Sequence, residues 1–244
     1  MCQIWKTRAR KLLGINKDDI VKRDNQTWSQ WYESLTKEHI ITEEFEYDES
    51  LRGVQKIIVD HGVDLNKIVE WFPYLTHLTF DERFKQNIDA LANSFPHLTH
   101  LTFGDKFTKN VDALAGSFPL LTHLTFGFMF GRSGKNIDAL AGSFPLLTHL
   151  TFGYSFKENI DALAGSFPLL NKLTFGRWFN EPIDALAGSF PLLTHLTFGS
   201  AFNQNIDALA DSFPLLTHLT FGDKFNQNID AFMNNLPNLV VTRK

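Results

Sequence analysis

Cysteine occurs once in this chain, at Cys2. That excludes an intramolecular disulfide and a cysteine-rich zinc site, and it fits a reducing, cytoplasmic setting. No apolar run approaches the roughly 20 residues that cross a bilayer, so no membrane partner is expected. A basic excess is also lacking. The formal net charge of −4 argues against a general nucleic-acid binder, which concentrates lysine and arginine on one face. No glycine-rich loop suited to cradling phosphates is present, and no cofactor is expected. The opening "MCQIWKTRARKLLGINK" is basic and free of acids but lacks the long apolar core of a secretory signal. It reads as a surface-charged first helix rather than a targeting peptide.

What the chain has in excess is phenylalanine. Phe-Pro recurs at Phe72, Phe95, Phe118, Phe144, Phe167, Phe190 and Phe213, in steps of 23 residues with a single step of 26. Such a period, with regularly spaced leucines, is the mark of a solenoid whose units each contribute a strand and a short helix or turn. In Leu193 to Phe198, alternation puts Leu196 and Phe198 on one strand face and His195 and Thr197 on the other. The following "NIDALA" predicts a short helix capped by Asn205, with Asp207 near its positive end and Ile206, Leu209 and Ala210 on one face.

The position after that helix reads Asn93, Gly116, Gly142, Gly165, Gly188 and Asp211, residue types that tolerate a left-handed backbone, so the chain is expected to reverse there. Proline then blocks further helix. Two more columns of phenylalanine follow the strand, at Phe80, Phe103, Phe126, Phe152, Phe175, Phe198 and Phe221, and four residues on at Phe84, Phe107, Phe130, Phe156, Phe179, Phe202 and Phe225. With the Phe-Pro set they account for 21 of the 24 phenylalanines, leaving Phe45, Phe128 and Phe232. Each buried ring is worth about 1.5–3 kcal/mol before chain entropy, so the columns are expected to form the core.

The expected fold is a right-handed α/β solenoid of leucine-rich-repeat type, with a parallel sheet on one side and short helices or turns opposite. Residues 1–50, which hold Trp5, Trp28, Trp31 and Tyr32, read as a partly helical N-terminal cap. A degenerate first repeat covers 51–73, with Ile57 and Val59 on its strand and Leu65, Ile68, Val69 and Phe72 on its helix. Regular repeats cover 74–236 and a last strand 237–244, where Arg243 and Lys244 discourage edge pairing.

The pattern "LTHLTFG..FN", with "FNEPI" at Phe179 to Ile183, resembles the FNIP repeat, a leucine-rich-repeat-like unit, over about residues 72–239. The resemblance implies a repeat-built interaction protein of the kind abundant in social amoebae and their giant viruses, and thus a host-cell cytoplasm for a viral member. Some members carry an N-terminal F-box, so a ubiquitin-ligase subunit is an alternative partner. Two departures stand out: most units have asparagine rather than proline before the isoleucine, and residues 1–50 contain no clear Leu-Pro F-box opening.

His77, His100, His123, His149, His195 and His218 share one unit position in six of seven units, and Lys172 takes it in the remaining one. A metal needs three or four ligands converging at about 2 Å, whereas strands spaced by about 4.8 Å offer imidazoles in a row. A hydrolase or metal site on this His/Thr row is the enzyme alternative, set aside because catalysis needs one oriented constellation rather than six copies. The row predicts instead that acidification loosens the sheet by charging neighbouring rings.

Divergence among the units marks the site. The two residues after the strand-ending glycine read Asp105-Lys106, Phe128-Met129, Tyr154-Ser155, Arg177-Trp178, Ser200-Ala201 and Asp223-Lys224. The central three are aromatic, sulfur-bearing or guanidinium types, which dominate protein interfaces. The same stretch holds the three-residue insertion around Gly131-Arg132-Ser133-Gly134 and the replacement of Thr-His by Asn171-Lys172. The expected function is non-enzymatic binding of a protein partner through Phe128, Met129, Arg132, Tyr154, Lys172, Arg177 and Trp178.

Overall fold

The structure, a computed structural model, describes residues 20–132 and 137–244 together with Thr7 and Ile15. Trp5, the basic opening and the inserted Ser133 and Gly134 lie outside the described residues. Ten strands form one parallel sheet in chain order: β1 (Glu38–Ile41), β2 (Lys56–Val59), β3 (His77–Phe80), β4 (His100–Thr102), β5 (His123–Thr125), β6 (His149–Thr151), β7 (Lys172–Thr174), β8 (His195–Thr197), β9 (His218–Phe221) and β10 (Val240–Arg243). Equivalent residues pair, histidine opposite histidine and leucine opposite leucine, as in His100 with His123 and Leu101 with Leu124. A slip of one residue would turn the leucines to solvent, so burial pins the register. The three-residue insertion leaves it untouched: His123 pairs with His149 across the longer step.

The sheet begins before residue 51. β1 lies in the segment read as a cap and pairs with β2, Glu38 opposite Lys56. Ahead of it, α1 (Trp28–Thr36) starts at a capping box in which Thr27 and Gln30 exchange side-chain and backbone hydrogen bonds. This helix buries Trp31 and Leu35, and the indole of Trp31 donates to the Ser50 carbonyl at 3.1 Å. In the degenerate repeat, α2 (Leu65–Trp71) is capped by Asp64 and buries Leu65 and Ile68. At the far end α3 (Asp230–Asn235) seats Phe232 in the core, although that residue belongs to no column.

Between these ends the expected short helix contracts to one three-residue 3-10 turn per unit, Asp207–Leu209 in the unit discussed above. The cap is local to the turn: Asn205 Oδ1 accepts from the Asp207 N–H at 2.7 Å, and Asn110 and Asn159 do the same for Asp112 and Asp161. Ile206, Leu209 and Ala210 are buried together as expected, whereas in the preceding units the alanine that follows Leu114, Leu140, Leu163 and Leu186 faces out. Asn93, Gly116, Gly142, Gly165 and Gly188 adopt the left-handed conformation, φ 56–69°. Asp211 does not. There Ala210 stays right-handed, at φ −55° and ψ −35°, so the unit avoids placing a Cβ-bearing aspartate in that region.

All three phenylalanine columns are buried. Within a unit the two rings that follow the strand stack on each other, 3.9 Å apart for Phe126 and Phe130. Between units the spacing grows across the section of the solenoid. Imidazoles on the outer sheet face stand 4.1 Å apart, strand-end rings 5.4 Å, the next column 6.3 Å, and Phe144 stands 6.5 Å from Phe167. Units related by pure translation would keep every spacing equal, so each is rotated on its neighbour and the His/Thr face is concave.

Where the chain leaves the sheet, stacked turns approach at backbone distance. A Cβ built on Gly153 would overlap the Gly127 carbonyl and lie 3.0 Å from the carbonyl of Phe126. Gly153→Ala is therefore expected to cost about 1–3 kcal/mol, because the atoms in its way are backbone held in a ladder. Urea unfolding, with a shifted midpoint and an unchanged slope, checks this.

Candidate functional site

The two positions after the strand-ending glycine form a second ladder of their own. Ser155 N–H donates to the Phe128 carbonyl, Trp178 N–H to that of Tyr154 and Ala201 N–H to that of Arg177, at 2.8, 3.0 and 2.8 Å. Side chains at equivalent positions on successive turns are thereby held side by side. Phe128 stacks on Tyr154 with centroids 4.3 Å apart. Trp178 stands nearly perpendicular to Tyr154 with ring centroids 6.3 Å apart, and the Arg177 guanidinium lies 5.5 Å from the Tyr154 centroid.

These side chains enclose a cleft of about 410 Å³ lined by Phe128, Arg132, Tyr154, Ser155, Lys157 and Trp178. Phe128 is 44% and Trp178 51% exposed, unusual for large apolar side chains in a protein whose other rings are so thoroughly buried. Of the residues singled out from the sequence, Phe128, Arg132, Tyr154 and Trp178 come together here, with Arg177 capping Tyr154. Met129 is half-buried and spends its N–H on the Asp105 carbonyl at 2.8 Å. Lys172 is elsewhere: it sits on β7 between His149 and His195, on the concave face. Divergence alone could not separate a turn position from a strand position. Ser155 and Lys157 were missed, being ordinary polar residues until the turn ladder sets them beside the rings.

The concave face carries stacked imidazoles. His77, His100, His123 and His149 form one stack, Lys172 interrupts it, and His195 and His218 stand 4.3 Å apart beyond. Each Nδ1 lies 2.8–2.9 Å from the hydroxyl of the preceding threonine, as in Thr99 and His100, which orients the ring. Rings held parallel direct their lone pairs parallel, so they do not converge on a metal. Among the described residues Asp60, His61 and Asp81 form the one cluster of three possible ligands, at the surface near the start of the solenoid. A further row escaped the sequence reading because it does not diverge: Leu120, Leu146, Leu169, Leu192 and Leu215, each following proline, are 38–49% exposed.

Solved structures resemble this architecture. An internalin C2 of Listeria monocytogenes aligns with a TM-score of 0.54 at 21% identity, over 72% of this chain and 74% of its own. An internalin InlF of the same organism gives 0.56 at 15%, over 79% and 55%. The receptor in a TLR13–ssRNA13 complex gives 0.56 at 15%, over 79% of this chain and 28% of its own. At these identities the likeness is one of fold: a leucine-rich-repeat solenoid. By sequence, no family model and no curated protein matches the chain. No helix among the described residues is long and apolar enough to cross a membrane.

Burial pushes His77, His100, His123, His149 and His195 below the ordinary imidazole range. Charge on neighbouring rings acts the same way, as do Lys56 near His77 and His100 and Lys172 near His149 and His195. His100 falls to about 4. The folded row therefore refuses protons that the unfolded chain accepts. Its contribution to stability is complete above the unfolded value near 6.5 and is lost as pH falls toward the folded values. The melting temperature is expected to be lower at about pH 5 than at about pH 7.5, and the double variant His100→Gln/His123→Gln to flatten that dependence. Thermal melts across this range check it.

Proposed function

We propose that this chain is a non-enzymatic scaffold that binds a protein partner in the cleft formed by Phe128, Tyr154 and Trp178. The observation that carries the reading is the meeting of two exposed rings, Phe128 and Trp178, with the half-buried Tyr154 on adjacent turns of a surface that otherwise repeats itself. Exposed aromatic clusters beside arginine are the usual composition of interface hot spots, and a solenoid supplies the rigid frame that such a cluster needs. The FNIP-like units favour the same reading, since that resemblance implies repeat-built interaction proteins. The single cysteine is compatible with a cytoplasmic protein. A ligase-adapter role would rest on the segment ahead of β1, and no observation there favours it. The repeated His/Thr row supports a structural role, because its members are equivalent rather than assembled around one reacting point.

Capture from an extract of the host cell, comparing wild type with Trp178→Ala, tests the proposal. The substitution is expected to lower affinity for the captured partner by about 2 kcal/mol or more, roughly 30-fold. An exposed side chain is removed, so the melting temperature should stay within about 2 °C. Undiminished capture by a folded Trp178→Ala chain would remove the cleft from consideration.

A further inference from the structure

The geometry points to a short acidic peptide segment, carrying an aromatic or aliphatic side chain beside its carboxylates, as the occupant of the cleft. This inference rests on the protein-binding reading above and specifies the chemistry of the partner. Arg132 and Lys157 line the cleft, and Arg177 lies over Tyr154. All three are exposed, and among the described residues none of them lies within ion-pairing distance of a carboxylate. The aspartate that precedes Phe128 on the turn ladder is already engaged, since Asp105 Oδ1 accepts the Phe128 N–H at 3.1 Å.

At the two positions after the strand-ending glycine the central turns carry no acidic residue, and the nearest acid in sequence is Glu158, which follows Lys157. The flanking turns carry opposite charges side by side, Glu82 with Arg83, Asp105 with Lys106 and Asp223 with Lys224. On a chain of net charge −4 the patch is a local exception, and it attracts an anion no longer than itself. The steps from Phe128 to Tyr154 and from Tyr154 to Trp178 are 4.3 and 6.3 Å, a reach that about three extended residues cover.

A single-stranded nucleic acid fits less well. Base recognition uses successive open ring faces along a continuous cationic track. Tyr154 has Phe128 stacked on it and the Arg177 guanidinium over it, and a polyanion following the turns would meet Asp105 on one side and Asp223 on the other. The exposed faces that remain, on Phe128 and Trp178, are apolar surface for one side chain between them.

The test uses the full chain and fluorescein-labelled polymers: a random glutamate–tyrosine copolymer, polyglutamate, a lysine–tyrosine copolymer and a single-stranded oligouridylate. Binding is followed by anisotropy at about 50 mM and about 300 mM salt. The glutamate–tyrosine copolymer is expected to bind, about tenfold or more tightly than polyglutamate, and to weaken at the higher salt. Trp178→Ala and the double variant Arg132→Glu/Lys157→Glu should each weaken it about tenfold or more, while Lys224→Glu, a charge reversal outside the cleft, should not. Melting curves of each variant establish that it is folded.

Equal binding of the lysine–tyrosine copolymer, tighter binding of oligouridylate, or glutamate–tyrosine binding that is absent or indifferent to Trp178 would overturn the assignment. If the partner captured from the cell still requires Trp178 in that event, only the acidic chemistry falls and the cleft remains the docking site. If capture is also indifferent to Trp178, both fall.

Discussion

The phenylalanine pair of each unit packs on the pairs of the units before and after it, in a core shared with columns of leucine and isoleucine. Phe126 lies on Phe130 within its unit, and both then stand against Phe152 and Phe156 at 5.8 and 6.2 Å. No unit can bury its rings alone, so stability is a sum over neighbours, and each open end is a cost. The two ends meet that cost differently. At the start, α1 buries Trp31 and Leu35 against the turn around Ser50, whereas at the finish α3 replaces the one-turn 3-10 element and supplies Phe232.

The same neighbour contact sets the curvature, and the curvature sorts the surface into unequal faces. Ring spacing runs from 4.1 Å among the imidazoles to 6.5 Å between Phe144 and Phe167, so side chains on the sheet face are crowded together. Burial and neighbouring charge lower the proton affinity of His77, His100, His123, His149 and His195, and the face is lined by rows of imidazole and threonine, with Lys56 and Lys172 as its charged members among β2 to β9. A substitution there is repeated pressure on two neighbours. The turn that leaves the sheet is different: its backbone is tied into a ladder by its own amides, while its side chains project outward.

The columns were legible because a buried row has to recur at every unit, and recurrence is visible in a single sequence. Strand faces, the left-handed glycines and the Phe-Pro punctuation could be read for that reason. What could not be read depends on distance rather than recurrence. β1 was missed as a strand because "EHII" carries none of the phenylalanine spacing and is defined by its pairing with β2. The 3-10 turns look like the start of a helix until the reversal immediately after them is seen. Met129 and Lys172 share the compositional signal of Phe128 and Trp178, yet one is half-buried and the other belongs to the concave face. The exposed leucines that follow proline recur as faithfully as the core does, so periodicity alone labels them structural.

A depression between regular units recurs, as in the polar ones lined by Asp64, Asn66 and Asp89 and by Asn87, Lys109 and Asp112, so a site present once needs a departure from the repeat. That departure has to sit where it leaves the columns alone. The three extra residues between Phe118 and Phe144 satisfy that condition: His123 still pairs with His149 and Phe130 still lies 6.2 Å from Phe156, while Arg132, next to Gly131, lines the cleft. Phe128 before the insertion and Tyr154 and Trp178 after it then line one cleft rather than stand as members of a row. The insertion and the aromatic substitutions thus fall on the same adjacent units, and those units are the ones whose side chains line the cleft.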